Sequence, residues 1–266
     1  MKSTVNGEKN LFTPHKEDNK NEKLTANVIG ATGLEAPSNS LKGGERRTSL
    51  TANVIGATGL VGKQLVNQLL GDDNFEKVRI FVRRKTGLKH LKLEEQIVDF
   101  GDEKTWGKLL TGDILFSSLG TTLKQAGSKE KQYEVDFTFN LNFAQKAKKN
   151  GIENYVLVSS VGANSKSSVF YTRMKGELDE AAAKIGFKNL AILRPASLTG
   201  DRKDSRIAER ISIPVLNFLT KFMLKKYHPI GDKTVAKAMI NAALHPNLEK
   251  KIWEAEEVFE LASKQV

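Results

Sequence analysis

From residue 51 onward, short apolar runs alternate with stretches in which apolar residues recur every three or four positions. The first pattern is typical of buried strands and the second of amphipathic helices. The predicted strands are Ala52–Gly56, Lys77–Arg83, Gln96–Phe100, Asp113–Leu119, Tyr155–Ser159 and Leu190–Leu193. The predicted helices include Gly62–Leu70, Thr138–Asn150 and Met174–Ile185. This alternation predicts an α/β fold, a doubly wound parallel sheet with helices on both faces.

The end of the chain is less regular, and we expect it to complete the same domain, which would span 49–266. Residues 201–250 are interpreted as a small substrate lobe. Within them, Ile211–Tyr227 is apolar on more than one face, so a lid, a dimer face and a membrane-surface helix all remain open. Lys251–Ala262 has the pattern of one short strand and a closing helix.

The first 48 residues are rich in Lys, Asn, Glu and Ser and are predicted to be a disordered extension. They contain LTANVIGATGL at 24–34, which recurs letter for letter at 50–60. Only the second copy continues into a helical pattern, because Pro37 opposes a helix after the first. We therefore predict that the second copy forms the functional strand and loop. The alternative is that Ala26–Ile29 of the first copy forms an extra edge strand.

Composition excludes several kinds of site. The chain has no cysteine, so disulfides, thiolate metal sites and a cysteine nucleophile are impossible, and its four scattered histidines predict no metal site. The net charge of +11 suits nucleic acid, anionic membranes or phosphorylated ligands. No zinc-finger or aromatic RNA-binding pattern accompanies it, so we expect no nucleic acid partner. No apolar run is long enough for a membrane span. The N-terminus lacks the apolar core of a secretory signal, and the predicted location is cytoplasmic. Monomer and homodimer both remain open.

The strongest local signal is Gly56-Ala57-Thr58-Gly59-Leu60-Val61-Gly62, which follows a strand and opens a helix. Gly56 permits a tight turn, and Gly59 lets backbone N–H groups approach a pyrophosphate. Gly62 allows the helix to pack closely on the strand, and the helix N-terminus, with Val61 in its first turn, favours an anion. This loop predicts dinucleotide binding.

Three further strand ends are predicted to contact the cofactor. Arg83-Arg84 follow the second strand, where an NAD site usually has an acid for the ribose hydroxyl. Because arginine suits a 2′-phosphate, NADP(H) is predicted over NAD(H). Asp99-Phe100 close the third strand, where they would flank the adenine. Leu119-Gly120-Thr121-Thr122 close the fourth, where small residues let the backbone approach the cofactor.

Tyr171 and Lys175 form a Y-x-x-x-K pair, which lies on one side of a helix. The lysine can hold a nicotinamide ribose and lower the proton affinity of the phenol by its charge. The tyrosine can then exchange a proton with a substrate oxygen while hydride moves. Ser159-Ser160 end the preceding strand, and either serine can hydrogen-bond the substrate carbonyl.

With these residues assembled, the chain resembles the atypical short-chain dehydrogenase/reductases. It is most similar to the Tat-interacting-protein type of oxidoreductase, a relative of NmrA-like and epimerase-like NAD(P)-binding proteins. The motifs that carry the resemblance are GATGLVG at 56–62, FVRR at 81–84, VDF at 98–100, LGTT at 119–122, KQAGS at 124–128, VSSVGANSKSSVFYTRMKGELD at 158–179 and LRPASLTGDRKDSR at 193–206.

The resemblance covers roughly 51–262 and implies a Rossmann fold with an NADPH-type site and a Ser/Tyr/Lys centre. It also implies cofactor contacts at Thr58, Leu60, Leu119, Gly120, Leu198 and Arg206. The predicted function is an NADP(H)-dependent oxidoreductase that acts on an unidentified carbonyl or alcohol by hydride transfer. The alternative is a catalytically idle, NADPH-binding or redox-sensing regulator that acts through a protein partner.

Overall fold

The structure is a computed structural model that describes residues 49–199, 229–245 and 251–264. The predicted extension with its repeated segment lies outside these residues. So do Arg206, Ile211–Tyr227 and most of the predicted substrate lobe at 201–250.

Within the described residues, seven parallel strands form the central sheet, in the order β3-β2-β1-β4-β5-β6-β9. Two short strands, β7 and β8, pair in parallel beside it. The strands are β1 (Leu50–Ile55), β2 (Phe75–Val82), β3 (Leu93–Ile97), β4 (Ile114–Ser117), β5 (Asn154–Val158), β6 (Asn189–Arg194), β7 (Leu198–Thr199), β8 (Ile230–Gly231) and β9 (Ile252–Glu254). The predicted doubly wound parallel sheet is therefore confirmed.

Helices cover both faces of this sheet. They are α1 (Leu60–Leu70), α2 (Leu123–Ala126), α3 (Lys129–Tyr133), α4 (Phe139–Lys149), α5 (Phe170–Lys184), α6 (Asp232–Leu244) and α7 (Glu256–Ser263). A π-helical turn, Glu134–Thr138, joins α3 to α4, and a 3₁₀ turn, Glu103–Thr105, precedes β4. The sequence pattern did not predict α2, α3 or the π-helical turn, which are short and largely polar.

The two faces have separate cores because successive strand residues point to opposite sides of the sheet. Val54 faces the core formed with α1, α6 and α7, whereas its neighbour Ile55 faces the core formed with α4 and α5. Phe143 of α4 is fully buried in the second core, where its ring stacks on Trp106 with centroids 3.7 Å apart.

The third strand was predicted at Gln96–Phe100, but β3 occupies Leu93–Ile97. This strand is an edge strand, paired only with β2, and Glu94 binds Lys77 and Arg79 of that neighbour. Phe100, which the pattern placed in the strand, instead turns into the core beside Phe143. The prediction placed the third strand on apolar residues. An edge strand such as β3 can instead consist of half-exposed polar residues.

The last described strand is tied to the rest of the domain by Arg194 at the end of β6. Its Nε donates to Asp179 of α5 at 2.8 Å, and its Nη1 donates to Glu254 of β9 at 2.6 Å. Ala255, the next residue, has φ of +44°, a conformation that disfavours a side chain. Its N–H donates to the Arg194 carbonyl at 3.0 Å, which holds the turn in place.

Candidate functional site

The strand order creates a crevice at the carboxyl ends of β1 and β4. The chain runs outward from β1 through β2 to β3 and then returns to β4 on the other side of β1. Connections that leave neighbouring strands in opposite directions open a crevice, which is where doubly wound folds bind ligands. The loop at 56–59 and the loop that begins at Ser118 line this point.

Two backbone approaches in this crevice require glycine. Gly56 has φ of +82°, and a Cβ there would lie 2.4–2.5 Å from the backbone of Ser118 and Leu119. A Cβ on Gly62 would lie 2.0 Å from the Gly56 carbonyl oxygen. The tight turn and the close helix contact predicted for these residues are therefore present in the structure.

The N-terminus of α1 opens at the same place. Gly59 is its N-cap, no side chain caps it, and its own N–H donates to the Gly56 carbonyl at 2.9 Å. First-turn N–H groups of a helix have no acceptor within it, and here they belong to residues that include Leu60 and Val61. The eleven-residue helix carries no acidic residue in its first turn. The loop thus fits a pyrophosphate, and Thr58 is exposed beside it.

Of the residues predicted to contact the adenosine half of the cofactor, some are exposed and one is buried. Arg83 and Arg84 are exposed directly after β2, and neither forms an ion pair within the described part of the chain. Asp99 is exposed and accepts a hydrogen bond from the Gly101 N–H at 2.9 Å. The Phe100 ring is buried beneath α4, so the structure does not place it on a surface that could flank the adenine.

The loop after β4 is held by side chains from α3, α4 and the π-helical turn. Asn140 donates to the Leu119 carbonyl at 3.3 Å, and its amide oxygen accepts from Ser117. Asp136 accepts from the Thr121 N–H at 2.7 Å. Gln132 donates to the Thr121 carbonyl at 3.3 Å. These contacts leave the small residues of this loop at the crevice and fix its backbone.

Helix α5 starts at Phe170, four residues before its predicted start. The earlier start places Tyr171 in the first turn and Lys175 one turn later. Tyr171 is 36% exposed, whereas Lys175 is 3% exposed. The Lys175 Nζ donates to the Val158 carbonyl at 3.5 Å and lies 4.0 Å from the Asp136 carboxylate. The phenol is thus open to a ligand, while the ammonium group lies in a fixed, buried position.

The two serines after β5 have different surroundings. Ser159 is 5% exposed, and its hydroxyl lies beside the Asp179 carboxyl of α5. Burial raises the pKa of the Asp179 carboxyl, and the nearby Ser159 hydroxyl and Arg194 oppose this rise. Ser160 is half-buried. The structure brings Ser159 toward Asp179 and leaves Ser160 the more accessible of the two.

Gly176 is a site residue that sequence reasoning missed. A Cβ there would lie 2.2 Å from the Ser165 nitrogen and 2.3 Å from the Asn164 carbonyl carbon. The loop that follows the two serines therefore packs directly on α5, next to Lys175. A glycine within a helical pattern was the available signal, because glycine weakens a helix unless close packing requires it.

The remaining predicted contacts are only partly described. Leu198 lies in β7, which pairs with β8, and Arg206 is outside the described ranges. In the ranges that the structure does describe, no three His, Asp or Glu side chains converge in a way that could bind a metal. No helix there is long and apolar enough to cross a membrane.

The sequence of residues 56–246 matches the model of a family described as NAD(P)H-binding. This chain belongs to that family. It is 40% identical over 229 residues to "Protein FMP52, mitochondrial" of Candida glabrata, a match that covers 84% of this chain and 86% of the relative. The protein of the same name in Saccharomyces cerevisiae is 32% identical over 187 residues, which cover 67% of this chain and 80% of that protein.

Solved structures support the same fold. A short-chain dehydrogenase/reductase superfamily protein from Agrobacterium tumefaciens with bound NAD has a TM-score of 0.60 at 14% identity, and the match covers 77% of each chain. A UDP-N-acetylglucosamine 4-epimerase from Methanobrevibacter ruminantium has a TM-score of 0.58 at 18% identity and covers 78% of this chain and 76% of its own. The Rossmann fold that the resemblance implies is confirmed, and membership of an NAD(P)H-binding family agrees with that resemblance.

The predicted cellular location is wrong. We predicted a cytoplasmic protein because the N-terminus lacks a secretory pattern, but the relatives are named as mitochondrial proteins. The absence of an apolar secretory core excludes one route of targeting and says nothing about mitochondria. The lack of a secretory signal therefore did not justify predicting a cytoplasmic location.

Replacing Gly62 with alanine tests the close contact between α1 and the loop. The new methyl group would overlap the Gly56 carbonyl oxygen, so we expect a loss of about 1–3 kcal/mol in the free energy of unfolding. NAD(P)H binding, followed by fluorescence titration, should weaken because the α1 N-terminus is displaced from the loop. The matched control is Gly71→Ala at the other end of α1, where φ is −88° and the nearest atoms to a Cβ are 3.8 Å away. Equal behaviour of the two variants would contradict the close contact.

Proposed function

We propose that this protein is an NADP(H)-dependent oxidoreductase that interconverts a carbonyl and an alcohol. The observation that carries the proposal is the pairing of an open Tyr171 with a buried Lys175 on the first two turns of α5. This pair follows β5, a neighbour of β4, at the carboxyl edge of the sheet where the glycine loop also lies. A bound nicotinamide would supply or accept the hydride there.

The roles of the two side chains follow from their surroundings. Tyr171 is the general acid that protonates the substrate oxygen during reduction and the general base in the reverse direction. The ammonium group of Lys175 would hold the nicotinamide ribose and so place the cofactor beside Tyr171. Because Lys175 is buried and bonded to the Val158 carbonyl, its position requires little ordering when a ligand binds.

Ser160 is the serine that we propose to bind the substrate oxygen. Both serines lie directly after β5, and they differ in their exposure. Ser159 is almost fully buried near Asp179, whereas Ser160 is accessible. The backbone N–H of Ser159 donates to the Leu193 carbonyl at 2.7 Å, which holds the residue directly after β5 beside β6.

The Tyr171→Phe variant should retain NADPH binding and lose turnover by about a hundredfold or more, because the proton donor is removed. The measurement is NADPH oxidation over a panel of aldehydes, ketones and quinones. Ser160→Ala should reduce kcat more than Ser159→Ala does. The control is Tyr133→Phe, which removes a phenol that donates to Glu177 at 3.1 Å.

If no compound in the panel is reduced by the wild type although NADPH binds, the protein is an NADPH-binding regulator instead. If Tyr171→Phe turns over a substrate as fast as the wild type does, the assignment of Tyr171 as the acid is wrong. The two results are distinct because the first concerns the wild-type protein alone.

We also propose a preference for NADPH over NADH, which rests on Arg83 and Arg84. Both are exposed after β2, and no acid among the described residues pairs with either, so both are available to a 2′-phosphate. Charge-assisted contacts to a phosphate are stronger than neutral ones, and we expect wild-type protein to bind NADPH about tenfold more tightly. Arg83→Ala and Arg84→Ala should lower this ratio.

The control for that preference is Lys85→Ala, which removes an exposed positive charge from the same turn. If all three variants weaken NADPH equally, general charge attraction explains the effect. Equal affinities of the wild type for NADPH and NADH would disprove the preference.

A mitochondrial location is proposed from the names of the relatives. The check is fractionation of cells that produce the full chain, with detection in the mitochondrial and cytosolic fractions. Recovery in the cytosolic fraction alone would overturn the proposal.

A further inference from the structure

The π-helical turn Glu134–Thr138 carries a carboxylate that the proposed reaction does not use. A π-helical turn widens the helix and leaves main-chain carbonyls without their usual donors, and such turns are frequent at functional sites. Here the Asn140 amide donates to the carbonyls of Val135 and Asp136 at 3.1 and 3.0 Å. This bracing fixes the backbone of the turn and with it the position of Asp136.

Asp136 lies between the loop after β4 and Lys175 of α5. Its Oδ2 accepts from the Thr121 N–H at 2.7 Å, and its Oδ1 lies 4.0 Å from the Lys175 Nζ. The side chains of Asp136 and Lys175 are 2% and 4% exposed. A carboxylate buried to this degree is costly unless it is paired and hydrogen-bonded, and these two contacts supply both conditions.

Asp179 is the other carboxylate near Lys175. It lies one turn further along α5, its Oδ2 is bound by Arg194 at 2.8 Å, and the charge of Lys175 also opposes the rise in its pKa. Burial raises the pKa of Asp136, and the charge of Lys175 and the Thr121 N–H both oppose that rise. The charge of Lys175 therefore helps to keep the buried Asp136 carboxyl ionised.

We propose that Asp136 is a positioning residue that fixes the Lys175 ammonium group relative to the loop at 119–122. The pairing itself rests only on the contacts above. Its effect on cofactor binding rests on the proposed function, in which Lys175 holds the ribose and the loop lies along the cofactor. Asp136 would then make the two contacts with the cofactor mutually dependent.

The test uses Asp136→Asn, which keeps an acceptor for the Thr121 N–H and removes only the charge. Loss of a negative charge should by itself favour an anionic ligand. Weaker binding must therefore come from a displaced lysine. We expect NADPH affinity to fall by about threefold to tenfold, which is the size of effect that residues in contact have on one another. Unchanged or tighter binding would overturn the positioning role.

A double-mutant cycle shows whether Asp136 acts through Lys175. In Lys175→Met protein there is no ammonium group to position, so adding Asp136→Asn should not weaken NADPH binding further. An equal loss in both backgrounds would mean that Asp136 acts on the loop alone and would overturn the proposal. The control is Asp113→Asn. Asp113 accepts the Thr51 N–H at 2.7 Å at the amino ends of the strands, away from the crevice.

The pairing is also measured without any cofactor. The Asp136 carboxyl can be titrated by ¹³C NMR in protein labelled at aspartate and assigned by its loss in Asp136→Asn. Its pKa should be higher in Lys175→Met than in the wild type, since a stabilising charge is gone. An unchanged pKa would overturn the pairing. If the pKa rises but the wild type binds no NADPH, the proposed function fails while the pairing stands.

Discussion

The site depends on one backbone contact, the approach of helix α1 to the Gly56 carbonyl. No side chain fits between Gly62 and that oxygen, and none fits between Gly56 and the backbone after β4. Because both gaps are closed by backbone, the first helix, the first strand and the fourth strand meet at a fixed distance. The α1 N-terminus is aimed at the crevice for this reason, and anion binding there needs no flexible side chain.

The opposite wall of the crevice is held by polar side chains instead. Asn140, Asp136 and Gln132 bind three backbone groups of one short loop. Buried polar groups of this kind carry a high desolvation cost, so they are stable only when nearly every donor and acceptor is matched. The two walls thus use different means, steric exclusion on one side and hydrogen bonding on the other.

Sequence reasoning predicted the elements whose signal is local. The glycine loop, the helix after it and the strand alternation depend on neighbours along the chain, and the structure contains all three. It failed where the cause is distant. The shift of β3 follows from its edge position, and the role of Gly176 follows from a loop that packs across α5. Asp136 had no local signal, since its partners Thr121 and Lys175 are far away in sequence.

The link from Asp179 through Arg194 to Glu254 has a consequence for the order in which the protein is made. During synthesis α5 and β6 emerge long before residues 252–254, so β6 has an open edge and Arg194 lacks one of its two carboxylates. An exposed strand edge can pair with the wrong chain. A chain interrupted before β9 would therefore present the edge of β6 for pairing with another chain.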